Sequence, residues 1–308
     1  MDKNHRSTVL PLALALLLLC GFDLRDPRVP LEEIRGGGPP KDGIPALTDP
    51  AFVSSETAER EFLKKTDRVL GLVLNGQARA YPVKILNWHE IVNDTIGGKP
   101  VVVTFCPLCG TGMVFDGEID RRKFTFGVSG LLYQSDLLMY DRQTESLWSQ
   151  IMGQAVTGSK SGTKLKLLPS AQTTWSEWKK RNPGSLVLSV QTGHRRDYFR
   201  DPYENYEQSR DLMFEVGAQN PAYHPKEKVV GIELAGTAKA YPFPELAKVK
   251  TPVKDEVRGV PITVYFDASS QTATVRDKDG NELPSVVGFW FAWTAFHPDT
   301  EIFRGKNP

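Results

Sequence analysis

Apolar and polar positions alternate along two stretches of the chain that read alike. Residues 68–86 are RVLGLVLNGQARAYPVKIL and residues 228–246 are KVVGIELAGTAKAYPFPEL. Nine of the 19 positions are identical at a separation of 160 residues: Val69, Gly71, Leu74, Gly76, Ala78, Ala80, Tyr81, Pro82 and Leu86 against their counterparts. A period of two marks a half-buried strand. Asn75-Gly76 between two such runs is a hairpin signal, because both residue types tolerate the positive φ of a two-residue turn. Pro82 and Pro242 end the second strand of each hairpin, since proline donates no ladder hydrogen bond. The match resumes after a one-residue slip, with Val101–Phe105 against Ile262–Phe266, and predicts a third strand in each copy.

Helical spacing follows. Thr174-Trp-Ser-Glu177 is a capping-box pattern, Trp175 and Trp178 share one helical face, and Pro183 ends the element. Trp290, Trp293 and Pro298 repeat that spacing. The expected fold is therefore a β-rich α+β protein in which two hairpin–strand–helix halves pack as one pseudo-symmetric body. Residues 49–190 form the first half, 191–227 a connector and 228–308 a shortened second half. The difference lies in the middle: 69 positions separate Cys106 from Trp175, but only 23 separate Asp267 from Trp290. The intervening stretch, 112–168, is rich in strand and turn signals. Residues 21–48, with Gly36-Gly-Gly-Pro-Pro40, read as a tether or an arm wrapping the domain.

Composition adds limits. With 40% hydrophobic and 24% charged residues, the 308-residue chain has a packed core rather than a disordered one. Net charge is +1 and no basic stripe is present, which argues against a nucleic-acid partner. Lys3, His5 and Arg6 precede an apolar run from Thr8 to Leu19 that is too short for the about 20 residues of a membrane span. This reads as an export signal. Leu17-Leu-Leu-Cys20-Gly21 is close to a bacterial lipobox, so Cys20 is the expected lipidation site. The expectation is an exported cell-envelope protein held to the membrane by that lipid.

Chemistry then falls on Cys106-Pro-Leu-Cys109-Gly110, which holds two of the chain's three cysteines. Three readings compete: a dithiol that exchanges with a redox partner, a copper or zinc site supplied by a metal donor, or a local disulfide that fixes a loop. A two-residue loop gains little from cross-linking, which weakens the last. Gly110-Thr-Gly-Met-Val-Phe115 reads as a turn into a strand rather than the helix that opens a thioredoxin-type motif. The second copy has Asp267 in place of Cys106 and Lys248-Val-Lys250 in place of Trp88-His89-Glu90, so the candidate site belongs to the first copy alone. His89 is the expected helper, as base, proton shuttle or third metal ligand. Glu90, Asp94, His194 or water are the options for a fourth ligand. Glu90, Asp94, Ser129, Tyr133 and Asp136 are expected to line a pocket.

With these residues in place, the chain resembles the bacterial family known as domain of unknown function 3179. The segments that carry the resemblance include Gly43-Ile-Pro-Ala-Leu47, Asn87-Trp-His-Glu-Ile-Val-Asn-Asp94, Cys106-Pro-Leu-Cys-Gly-Thr111, Phe126-Gly-Val-Ser-Gly-Leu-Leu-Tyr133, Ser146-Leu-Trp148 and Trp290-Phe-Ala-Trp-Thr-Ala-Phe-His-Pro298. The family has no settled activity. Some members resemble selenoproteins, with selenocysteine within the Cys-x-x-Cys-like motif. By that resemblance the redox reading of Cys106 and Cys109 comes first, as an uncharacterised thiol oxidoreductase, with metal binding as its alternative.

Overall fold

Asn75 and Gly76 form the predicted hairpin turn, with φ of 50° and 73°, and Ala235 and Gly236 repeat it at 50° and 76°. In the computed structural model, which describes residues 21–305, each turn joins a seven-residue strand to a six-residue one. Arg68–Leu74 pairs with Gln77–Pro82, and Lys228–Leu234 with Thr237–Pro242, in the same register. The conserved-in-repeat glycine has a packing cause. A Cβ on Gly71 would meet the Trp178 ring at 2.3 Å, and one on Gly231 would meet the Trp293 ring at the same distance. Each tryptophan sits on a seven-residue helix, Trp175–Arg181 or Trp290–Phe296, and presses its ring onto the hairpin backbone. The Thr174 hydroxyl accepts from the Glu177 amide, as a capping box requires.

The expected fold class needs correcting. The chain is 40% strand and 12% helix, and its strands form a five-bladed β-propeller arrangement rather than two matched α+β halves. Two sheets come from each repeat. One is built around each hairpin, and one around Ile91–Ile96, Lys99–Cys106 and Thr111–Asp116 or around Val253–Val257, Val260–Asp267 and Thr272–Asp277. The fifth is Phe126–Tyr133, Asp136–Asp141, Leu147–Ser149 and Gln154–Ala155, edged by Arg35–Gly36 from the arm. It grows from the segment that lengthens the first copy and has no counterpart in the second, so the halves cannot match. Among the described residues no helix exceeds seven residues. Such elements cap hairpins and form no helical layer of their own.

The arm wraps the body. Besides Arg35–Gly36, its Leu47–Thr48 pairs in parallel with Ile91–Ile96. The largest core cluster joins three sheets and includes Cys106, Cys109, Phe126, Trp148, Phe289 and Trp290. Cys20 lies outside the described residues. Among those described, no helix is long and apolar enough to cross a membrane.

Candidate functional site

Cys106 closes its strand directly opposite Thr111, so the four residues between them form a tight loop. Three contacts hold that loop from outside. The Phe289 amide donates to the Cys109 carbonyl at 2.8 Å, and the Gln172 side-chain amide donates to the Gly110 carbonyl at 3.1 Å. The Thr111 hydroxyl donates to the Gln150 side-chain oxygen at 2.7 Å. Gly110 has a φ of 62°, and a Cβ there would meet the Phe289 ring at 2.9 Å. Glycine is therefore required where the loop turns back. Both cysteines are buried and neither is in a disulfide.

A second turn faces the thiols. Gln134 and Ser135 connect two strands of the fifth sheet with φ of 51° and 64°, the pairing of a tight hairpin turn. Neither is glycine, so the turn is held at a steric cost. It brings the Ser135 carbonyl oxygen to 3.4 Å from the Cys109 sulfur and 3.9 Å from the Cys106 sulfur. The next residue, Asp136, completes the cluster. The ligand atoms of Cys106, Cys109 and Asp136 all lie within 4.8 Å of one another, and all three residues are buried. Asp136 Oδ2 accepts from the Ile151 amide at 3.0 Å and from the Ser149 hydroxyl at 3.5 Å. Asp136 Oδ1, the Ser135 hydroxyl and the Tyr206 hydroxyl are buried without a hydrogen-bond partner. Orphaned buried polar atoms are rare in folded proteins and mark places where a ligand or water is expected.

The electrostatics are one-sided. Burial pushes the Cys109 thiol well above its ordinary range, and Cys106 and Asp136 add to the shift. Burial raises Asp136 to about 7. Glu90 is raised to about 8 by burial and by the nearby Asp136 carboxyl. The phenols of Tyr203 and Tyr206 are pushed up, first by burial, with Glu90 and the cysteines contributing. The Lys226 ammonium lies 3.9 Å from the centre of the Tyr206 ring and is held by the Ser209 and Asp211 carbonyls. Reactive low-pKa thiols sit in electropositive, partly exposed places. This site is buried and acidic.

The other expected residues make contacts of their own. His89 ends the helix Val83–His89, with Nδ1 2.7 Å from the Pro45 carbonyl and Nε2 2.7 Å from the Tyr198 hydroxyl. Burial lowers it to about 4. His194 packs against it, with ring centres 5.4 Å apart. Neither histidine belongs to the thiol cluster. Glu90 follows at a φ of 57°, and this left-handed turn carries the chain from the helix into the next strand. Asp94 accepts from the Tyr81 hydroxyl at 2.7 Å, just as Asp255 accepts from Tyr241 at 2.9 Å. That pair is common to both repeats, which is a framework contact. Ser129 is buried at a strand irregularity, where its hydroxyl donates to the Leu138 carbonyl. The Tyr133 ring packs edge-on against Phe296.

A family model described as a protein of unknown function, DUF3179, matches residues 41–300. The chain belongs to this family. The matched span contains every residue of the DUF3179 thiol cluster and leaves out Cys20. No curated protein and no solved structure matches the chain.

The sequence joined Glu90 to Cys106 and Cys109 as a possible ligand and gave Asp136 a place in a pocket, but not one beside the thiols. It gave Tyr203 and Tyr206 no site role. The two tyrosines come from the connector, where no local pattern marks a residue that turns inward.

Proposed function

We propose that this DUF3179 protein binds zinc through Cys106, Cys109 and Asp136. The observation that carries the reading is the convergence of two buried thiols and a buried carboxyl within 4.8 Å of one another. Thiols and carboxyls crowded this way repel as anions, and burial raises both the Cys109 thiol and the Asp136 carboxyl. A divalent cation removes both penalties at once and releases the protons. The carboxylate favours zinc over copper(I), which prefers soft ligands alone. Three protein ligands leave a fourth position open, as in zinc sites that do chemistry. The unpartnered hydroxyls of Ser135 and Tyr206 would serve a water or substrate there. The test is competition for zinc against a chromophoric chelator. Wild type should hold one equivalent, and Cys106→Ser and Cys109→Ser should each hold it at least about tenfold more weakly. Equal retention by all three proteins overturns the assignment.

A second reading has its own support. The thiols are unbonded, and their sulfurs lie within 4.8 Å of each other and of an Asp136 carboxyl oxygen. In that scheme one thiolate attacks a substrate disulfide and expels its thiolate. The second cysteine's thiolate then attacks the first cysteine's sulfur in that mixed disulfide and expels the substrate's remaining thiolate, leaving Cys106–Cys109 oxidised and the substrate reduced to two thiols. A thiol titration that finds no reversible disulfide in wild type removes this reading and leaves the zinc site. We further propose that the protein is exported and held to a membrane through lipidated Cys20, on the strength of its leader pattern.

A further inference from the structure

Beside the thiol centre lies a cavity of about 230 Å³ whose walls are largely apolar. Its inner residues border the cluster in the chain: Leu108 stands between the two cysteines and Leu137 follows Asp136. Ile44 of the arm and Tyr203 and Phe214 of the connector form the outer wall. The cavity shares Leu132, Met213 and Phe214 with a larger open groove of about 560 Å³, and Met213 is 55% exposed where the two join. A path from solvent therefore exists.

One feature of this cavity is not explained by packing. Glu90 lines it, is only 8% exposed, and its carboxyl has neither a hydrogen-bond partner nor an ion pair among the described residues. No basic side chain lines the cavity. A buried acid without a partner costs stability, so its retention needs a reason. Its backbone adds to that cost, because a non-glycine residue at a φ of 57° is strained. The second repeat has Lys250 at this position, so the hairpin framework does not demand the carboxyl.

We propose that this cavity binds a small organic amine, with the ammonium group paired to Glu90 and an apolar body against Tyr203, Phe214 and Leu108. The lining supplies each part of that match. Glu90 is the only acidic or basic side chain in the lining, and aromatic faces at the outer wall attract an ammonium group as well. The volume is below the ~300–1,000 Å³ of drug-sized sites and suits a ligand of roughly ten non-hydrogen atoms. The site does not depend on zinc at the thiols, so its test is made on full-length protein both freed of metal by chelator and loaded with zinc.

Calorimetric titration with phenethylamine, phenylacetate and 2-phenylethanol separates the contributions. Phenethylamine should bind in the metal-free protein, and phenylacetate should bind at least about tenfold more weakly, as expected when a charge-assisted hydrogen bond is replaced by repulsion. Glu90→Gln should weaken phenethylamine by at least about tenfold and leave 2-phenylethanol unchanged. The proposal is overturned if phenylacetate binds as tightly as the amine, if the amine shows no binding at millimolar concentration, or if Glu90→Gln binds it as well as wild type. The comparison of amine with carboxylate uses wild-type protein alone, so it decides the matter even if the variant does not fold. Loss of zinc binding with amine selectivity intact would count against the zinc assignment and leave this one standing.

Discussion

The Cys109 sulfur lies 3.4 Å from the carbonyl oxygen of Ser135, across the space between the cysteine loop and a hairpin turn of the fifth sheet. Two distant parts of the chain meet there, and each is under constraint. The cysteine loop needs glycine at 110, and the opposing turn holds two non-glycine residues at positive φ.

Because Ser135 contributes its carbonyl and its hydroxyl has no partner, Ser135→Gly should keep the site and relieve the turn. Glycine adopts this conformation freely but loses more entropy on folding, so the net gain should be up to about 1 kcal/mol. Urea unfolding measures it. A loss of stability instead would mean that the hydroxyl holds a ligand or water essential to the fold.

Glu90 gives the metal-free protein a distinctive pH dependence. Its folded value is raised to about 8 from an ordinary 4.5, so between those values the folded state holds a proton that the unfolded state releases. The stability this supports is present below about pH 4.5 and is lost as pH rises through about 8. Asp136, raised to about 7, acts in the same direction. Glu90→Gln should therefore flatten the slope and be more stable than wild type at pH 8, by on the order of 2 kcal/mol or more. Unfolding curves at pH 5 and pH 8 check this, and parallel slopes for the two proteins would contradict it.

Gly71 and Gly231 lie under tryptophan rings that leave no room for a methyl group. Gly71→Ala should cost about 1–3 kcal/mol through overpacking. Gly231→Ala should cost a similar amount, measurable by thermal or urea unfolding. A neutral result at either position would mean that the helix carrying the tryptophan shifts without penalty.

Much of this was legible in the chain because local rules act over short distances. Asn75-Gly76, Tyr81-Pro82 and Thr174-Trp-Ser-Glu177 each fold as their own chemistry dictates, and the repeat reveals the same elements twice. The five-sheet arrangement was not legible, because nothing local says that the residues after Asp116 leave to build a separate sheet and return. The site was half legible for the same reason. The Cys-x-x-Cys spacing stands out, but Asp136 reaches the thiols only through the turn at Gln134-Ser135, and Tyr206 only through the course of the connector. His89, the expected helper because the second copy lacks it, makes its hydrogen bonds to Pro45 and Tyr198, while its neighbour Glu90 lines the cavity.

The most direct test of the central claim is X-ray absorption at the zinc edge of stoichiometrically loaded protein. A site built from Cys106, Cys109 and Asp136 predicts two sulfur neighbours at about 2.3 Å and oxygen neighbours at about 2.0–2.2 Å. One sulfur should be lost in Cys106→Ser and in Cys109→Ser. A spectrum with no sulfur neighbours, or one unchanged in either variant, would contradict the assignment.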